Sequence, residues 1–208
     1  MNLLIEAMYF PPVEAFALML ASENLFIEKH ERYQRVSYRN RCHISGPNGL
    51  LRLSVPLKGG KSERQLITEK QIDYSQNWQK NHWESLCSCY RRSPYFEFYE
   101  DDLEPLFQER SDSLFELNLK TINWIIEALS LDLKVQFTDK FSTDYQDFTD
   151  MRSKILPNAM NIKGFRYPKY IQVFEARQGF IPNLSILDLL FAEGPSAKDI
   201  LLSSYVNK

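Results

Sequence analysis

The first 28 residues predict a strand, a helix and a second strand, and this order constrains the fold more than any other feature of the chain. "NLLIEA" has the apolar character of a strand, Pro11 and Pro12 allow a helix to begin at Val13, and "NLFIE" follows as the next strand. Such a unit pairs its strands in parallel through a right-handed crossover. The loop of residues 8–11 is therefore expected at the carboxyl edge of the sheet, where α/β proteins bind ligands.

The rest of the chain fits the same class. Residues 112–131 predict a helix, because apolar side chains recur along one of its faces, and "LKVQFTDKF" then predicts another strand. Residues 42–57 predict a β-hairpin with its turn at residues 47–49. We therefore predict a single α/β domain over residues 1–208, with a central, mainly parallel sheet, flanking helices and an edge hairpin.

The composition limits the classes of partner. The chain has 208 residues, 44% of them hydrophobic, and a formal charge of -2, so no overall field attracts nucleic acid or an anionic membrane. An anion site must then be a local cluster of cations. No basic leader and no apolar run of membrane-spanning length is found in the sequence, so we expect a cytoplasmic protein without membrane insertion.

The common catalytic and metal motifs are missing from the sequence. It has no G-x-S-x-G, G-x-G-x-x-G or H-E-x-x-H pattern. Cys87 and Cys89 are two positions apart on a predicted helix and point to different faces, so we expect no metal site. "KGGKSERQ", residues 58–65, predicts a polar surface loop, although a Gly-Gly pair beside lysines can also cover a bound anion.

One histidine stands next to an apolar stripe. Residues 76–92 predict a helix whose stripe consists of Trp83, Leu86 and Tyr90, and His82 lies beside it. Two roles stay open for His82, a hydrogen-bonded packing residue or a general base. We expect its side chain to face a polar cleft and not the hydrophobic interior.

Two arginines flank an asparagine just before the predicted hairpin. In an extended segment Arg39 and Arg41 point the same way, so they can bind one anionic group together while Asn40 turns to the other side. The alternative is a structural bridge to carboxylates of the acidic "YEDD" stretch, residues 99–102. Both interpretations stay open.

The carboxyl-terminal part predicts two helices that begin in the same way. Ser185 precedes Asp188 by three residues and Ser196 precedes Asp199 by three, each an acidic variant of the capping box. Capping is a sufficient explanation for Ser185 and Asp188, although the amino end of a helix also binds anions.

Three blocks in order, "SYRNRCHISGPNGLLRLSVPL", "IDYSQNWQKNHWESLCSCYRRSPYFEFYEDDLEPLF" and "YIQVFEARQGFIPNLSILDLLFAEGP", make the chain similar to the WbqC-like protein family. The resemblance implies a bacterial protein associated with surface polysaccharides such as O-antigen, and transfer of an amino-acyl or glycyl group to a sugar. The start departs from the family pattern: many members have His-Gln-Pro-Asn-Tyr after the first strand, and here only Tyr9 and Pro11 match.

The resemblance also implies the site residues. His82 is the expected catalytic group. The expected substrate- or anion-binding residues are Tyr9, Arg39, Asn40, Arg41, Trp78, Tyr90, Asn183, Ser185 and Asp188. The expected ligand is an anionic small molecule, a sugar phosphate or nucleotide sugar, and no cofactor is indicated. A group-transfer enzyme and a non-catalytic binding or accessory protein of the same pathway both stay open, as does assembly into a homo-oligomer.

Overall fold

A four-stranded parallel sheet lies at the centre of the computed structural model, which describes residues 1–59, 65–158 and 165–204. The strands are β1 (Asn2–Glu6), β2 (Asn24–Glu28), β3 (Arg41–Gly46), β4 (Gly49–Ser54), β5 (Val135–Phe137) and β6 (Thr149–Asp150). The helices are α1 (Val13–Ala21), α2 (Trp78–Tyr90), α3 (Phe96–Leu103), α4 (Pro105–Gln108), α5 (Leu114–Ala128), α6 (Glu175–Gln178), α7 (Ile186–Glu193) and α8 (Ala197–Ser204). Residues 60–64 of the predicted Gly-Gly loop lie outside the described residues.

The central sheet has the strand order β5-β2-β1-β6, and each neighbouring pair is parallel. The predicted α/β class and its parallel sheet, flanked by helices, are therefore confirmed. The chain passes from β1 outward to β2 and β5, and then returns to add β6 on the other side of β1. The connections that leave β1 and β6 therefore diverge, which opens a crevice beyond the carboxyl ends of these strands.

The predicted hairpin is also confirmed. β3 and β4 pair antiparallel from Arg41 opposite Ser54 to Gly46 opposite Gly49, with Pro47 and Asn48 in the loop. Gly49 has a φ of 110°, a conformation that favours glycine. The hairpin forms its own two-stranded sheet instead of extending the edge of the central one.

Helix α5 holds the segment that follows β1. Its amino end is capped by the Ser113 side chain, which accepts a hydrogen bond from the Glu116 amide. Its buried face carries one amide side chain, Asn118, whose Nδ2 donates to the carbonyl oxygens of Ala7 at 3.1 Å and Arg39 at 2.8 Å. One side chain thus connects α5 to the end of β1 and to the approach to the hairpin. Among the described helices none has the length and apolar character needed to span a membrane.

We predict that Asn118→Ala lowers the free energy of unfolding by about 2 to 4 kcal/mol, because the carbonyls of Ala7 and Arg39 lose a buried donor. Asn123→Ala is the matched control, since Asn123 lies exposed on the same helix. Urea denaturation of both variants measures the loss. Equal stability of the two variants would contradict the role given to Asn118.

Candidate functional site

Two buried carboxylates mark the carboxyl edge of the central sheet. Glu6 ends β1 and Glu28 ends β2, and both side chains are fully buried. Glu28 accepts hydrogen bonds from the Thr138 hydroxyl at 2.6 Å and from Arg152 Nη1 at 2.9 Å. A buried carboxylate is tolerated only with such partners, so the edge is organised around paired charges.

Arg39 supplies the partner of Glu6. Its Nη1 lies 3.2 Å from Glu6 Oε1, and its Nε and Nη2 donate to the two carboxylate oxygens of Glu31 at 2.7 and 2.6 Å. Burial alone would lower the pKa of Arg39, but the carboxylates of Glu6 and Glu31 outweigh this effect and raise it. Arg39 is therefore a fully buried cation with two carboxylate partners.

Arg152 occupies the more open side of the same edge, just after β6. Its guanidinium forms a two-pronged pair with Asp150, with distances of 3.0 and 2.6 Å, and lies 5.1 Å from the ring centre of Phe141. The bond to Asp150 is the largest influence that raises the pKa of Arg152. Ser153, the next residue, has a φ of 56°, an uncommon conformation for a residue other than glycine.

A cavity of about 790 Å³, which we call the sheet-edge cavity, opens at this place. Residues of its wall include His30, Arg32, Arg35, Phe141, Asp150 and Arg152. It lies beyond the carboxyl ends of the strands and beside the connection from β6, as expected of a ligand site in this topology. Three arginines outnumber the two carboxylates, Glu31 and Asp150, among the described residues of this wall, which suits an anionic ligand. Phe141, 51% exposed, offers a ring for stacking.

The expected pairing of Arg39 with Arg41 on one anion is wrong for Arg39. Residues Tyr38–Asn40 form a turn of 3-10 helix instead of an extended strand, so the two arginines do not alternate along one face. Arg39 instead forms a structural bridge, with Glu6 and Glu31 in place of the expected acidic stretch at residues 99–102. The carboxylate of Glu100, in that stretch, pairs with Arg91.

Asn40 and Arg41 belong to the hairpin. The Asn40 side chain donates to the carbonyl of Val55 at 3.0 Å, and its Oδ1 accepts from Arg41 Nη2 at 3.3 Å. Asn40 is buried and fixes the end of the hairpin, whereas Arg41 is half-buried. Arg41 lines a second cavity, together with Arg52 and Arg35.

His82 lies in the interior and does not face a polar cleft, so that expectation is wrong. Its Nδ1 is hydrogen-bonded with the Tyr9 hydroxyl at 3.0 Å, its ring packs edge-to-face on Trp78, and it also hydrogen-bonds to the backbone of Ser54. Burial lowers the pKa of His82 to about 4. Four of the five buried positions of α2 are spaced four residues apart, Trp78, His82, Leu86 and Tyr90, and Cys89 is the fifth, so His82 lies on the buried stripe itself. Catalysis by His82 stays a prediction, but this geometry favours the packing interpretation.

Tyr90 and Asp188 meet in a second buried polar cluster. Asp188 accepts from the Tyr90 hydroxyl at 2.6 Å and from the Tyr170 hydroxyl at 2.7 Å, and Tyr90 also accepts from the Ser45 amide at 2.9 Å. Burial raises the pKa of Asp188, and the two phenol groups act in the opposite direction. Asp188 therefore binds tyrosines instead of completing a capping box.

Ser185 and Asn183 connect the carboxyl-terminal part to the loop after β1. The Ser185 hydroxyl caps α7 by accepting from the Leu187 amide at 3.3 Å, as predicted, and donates to the Phe10 carbonyl at 3.1 Å. Asn183 accepts from the Glu14 amide at 3.0 Å and donates to the Glu14 carboxylate at 3.0 Å. Both residues are buried, so they hold segments together and do not line the sheet-edge cavity.

The structure thus separates the expected residues from the open cavity. Tyr9, Trp78 and His82 form one buried cluster, Tyr90 and Asp188 another, and neither lines the sheet-edge cavity. The cavity residues His30, Arg32 and Arg152 were not predicted from the sequence. For His30 and Arg32 the sequence does contain a usable signal: both follow directly after Glu28, the last residue of a predicted strand, where ligand-binding residues of a parallel sheet are expected. In the described part of the chain, no three His, Cys, Asp or Glu side chains are grouped to hold a metal ion.

The family model described as "WbqC-like protein family" matches residues 7–158. The chain belongs to the WbqC-like family. The match covers the hairpin, α2 and the segment with Arg152, but it ends before Asn183, Ser185 and Asp188. An uncharacterized protein of Mycobacterium tuberculosis, Rv1507c, is 26% identical over 222 residues, which cover 95% of this chain and 96% of that protein. No solved structure matches this WbqC-like protein.

We predict that Arg39→Met lowers the free energy of unfolding by about 3 to 5 kcal/mol, because Glu6 and Glu31 stay buried without a cation. The control Arg91→Met breaks an exposed pair with Glu100 and should cost less than about 1 kcal/mol. Chemical denaturation measures both. An Arg39→Met protein with unchanged stability would show that the guanidinium serves a ligand and not the fold.

We further predict that His82 makes the fold sensitive to acid. The folded pKa is about 4 and the unfolded value about 6.5, so the unfolded chain binds the proton first as the pH falls. The contribution of His82 is complete above pH 6.5 and is lost towards pH 4. Between pH 7 and 4.5 the stability difference between the wild type and His82→Gln should change by roughly 2 to 3 kcal/mol, measured by denaturation at each pH. The buried carboxyl groups are common to both proteins, so their titration does not contribute to this difference in stability. A difference that stays constant between pH 7 and 4.5 would contradict a buried, neutral imidazole at His82.

Proposed function

We propose that this protein binds a phosphorylated or nucleotide-linked sugar in the sheet-edge cavity and acts in the cytoplasm in building a bacterial surface polysaccharide of the O-antigen type. The observation that carries the proposal is the position of an arginine-lined cavity beyond the carboxyl ends of β2, β5 and β6. Phosphate oxygens match the planar donors of arginine, and sugar hydroxyls match the polar groups of the wall. Membership of the WbqC-like family supports the polysaccharide pathway.

The size of the cavity fits such a ligand. A volume of about 790 Å³ lies in the range of 300 to 1,000 Å³ found for small-molecule sites. The salt bridges of Arg152 to Glu28 and Asp150 fix the guanidinium before any ligand arrives, so binding does not have to order that side chain.

Transfer of an amino-acyl or acyl group to the sugar is a second candidate, and His30 is the observation that favours it. His30 is half-buried in the wall of the cavity, and its Nε2 donates to the Thr138 carbonyl at 3.1 Å. This bond places the proton of the neutral ring on Nε2 and leaves Nδ1 as the acceptor. In this candidate reaction Nδ1 takes the proton of a sugar hydroxyl or amine while that group attacks the carbonyl of an activated acyl donor, and the activating group leaves.

We predict that a nucleotide-linked sugar, at about a hundredfold above its Kd, raises the melting temperature of the wild type by about 5 °C or more. Phe141→Ser should reduce this shift, because it removes an exposed ring of the cavity wall. Phe98→Ser is the matched control, since Phe98 is 72% exposed on α3 and does not line the sheet-edge cavity.

Absence of any shift across a panel of sugar phosphates and nucleotide sugars would overturn the binding proposal. The same panel with activated acyl donors separates the two candidates. Release of the activating group by the wild type, reduced roughly a hundredfold or more in His30→Gln with ligand binding kept, would identify group transfer. Binding without release would identify the non-catalytic protein.

A further inference from the structure

A second cavity, of about 490 Å³, lies against the hairpin, and we call it the hairpin cavity. Its wall includes Arg35, Arg41 and Arg52, together with Tyr33, Val36 and Ser54. None of the described residues that line it is an aspartate or a glutamate. Three guanidinium groups thus border one hollow without a carboxylate in its described wall, in a chain whose formal charge is -2.

The hairpin register explains why two of these arginines face the same hollow. Arg41 lies opposite Ser54, and Arg52 lies opposite His43, so Arg41 and Arg52 are diagonal neighbours on one face. The backbone hydrogen bonds between β3 and β4 fix the positions of Arg41 and Arg52 relative to each other. Like charges at such positions repel each other, and the hairpin tolerates the repulsion because Arg52 is exposed to water.

Arg41 also has an unused donor. Its Nε is buried and has no hydrogen-bond partner within the described residues, although Nη2 bonds to Asn40. Buried polar atoms are usually hydrogen-bonded, so a buried Nε without a partner among the described residues is a position where a bound anion can accept a hydrogen bond. An anion in the hairpin cavity would provide such an acceptor. Burial lowers the pKa of Arg41 and the charge of Arg52 adds to this effect, whereas Tyr33, which hydrogen-bonds to the Arg41 side chain, acts in the opposite direction.

The backbone of the wall is strained at one point. Val36 has a φ of 53°, a conformation that a β-branched residue rarely adopts, and its side chain is 51% exposed. The surrounding structure must hold this conformation, since the isolated residue would not adopt it. Strain of this kind concentrates at sites that bind ligands.

We propose that the hairpin cavity is a pyrophosphate site formed by Arg41, Arg52 and Arg35. Tyr33 and Arg35 line both cavities, so the two hollows adjoin. A ligand with two linked phosphates and a sugar can place the diphosphate against the hairpin and the sugar at the sheet edge. The inference deepens the proposed function and rests on it for the sugar, but the diphosphate site stands on the hairpin residues alone. It selects diphosphate-linked sugars over sugar monophosphates as the ligand class.

The test is calorimetric titration with inorganic pyrophosphate at low salt. Arg52→Gln should weaken binding roughly tenfold or more, because each charge-assisted arginine contact contributes about 1.5 to 3 kcal/mol. Arg41→Gln should weaken it at least as much. Arg92→Gln is the matched control, since Arg92 is equally exposed but lines a different cavity, and it should bind pyrophosphate like the wild type. Binding by the wild type should also weaken as the salt concentration rises.

Arg52 is exposed on the hairpin, so its variant is expected to fold even if the Arg41 variant does not. Pyrophosphate binding that is unchanged in a folded Arg52→Gln protein, or absent from the wild type, would overturn the inference. A different result would overturn the proposed function: no shift in the melting temperature of the wild type with any sugar phosphate or nucleotide sugar. Sensitivity of nucleotide-sugar binding to Phe141→Ser but not to Arg52→Gln would retain the sheet-edge site and remove the diphosphate site.

Discussion

Arg39, through its buried guanidinium and its backbone carbonyl, joins four parts of the chain. Its side chain binds Glu6 at the end of β1, Glu31 after β2 and the Ser153 hydroxyl after β6, while its own carbonyl accepts from α5. Burying three charged groups costs more solvation energy than one surface ion pair can return, so the cluster requires its complete set of partners. The position of the cavity wall relative to the sheet depends on this cluster, because Ser153 follows Arg152 directly.

The residues that resemble the family motifs serve the interior. Tyr9 with His82, Tyr90 with Asp188, and Asn183 with Glu14 each connect segments more than 70 residues apart through a buried hydrogen bond. Such bonds contribute modest stability, but leaving one partner alone is costly, so they favour one arrangement of the segments over others. In this chain these residues hold the fold in place, and they do not line the sheet-edge cavity.

Much of the fold could be predicted from the sequence, because β1, α1, β2 and α5 have local signals of periodicity and capping. β6 could not, since two residues, Thr149 and Asp150, are too short to show alternation. The site was harder still. The sequence leaves open whether Arg39 binds a ligand anion or carboxylates of the chain. It does not show that Glu6 and Glu31 are its partners, because residues that form an ion pair can be any distance apart in the sequence. The apolar pattern of α2 placed Trp83 on the buried face and His82 beside it, whereas His82 itself is buried on that face. A shift of one residue along a helix therefore decides whether a side chain faces a cleft or the core.

The shortness of β6 has a consequence for motion. β1 pairs with β2 along its whole length but with β6 only at Leu3 and Leu4, so few ladder hydrogen bonds hold the segment that leads to Arg152. Amide protons there should exchange with deuterium through local opening, long before those of the β1 and β2 ladder. The strand with the shortest ladder in the described sheet is thus one that borders the cavity. A molecule bound between the β6 segment and the rest of the sheet edge would slow this exchange, because it would bind only when β6 is paired with β1. Binding of the molecule and pairing of β6 would then be one coupled equilibrium.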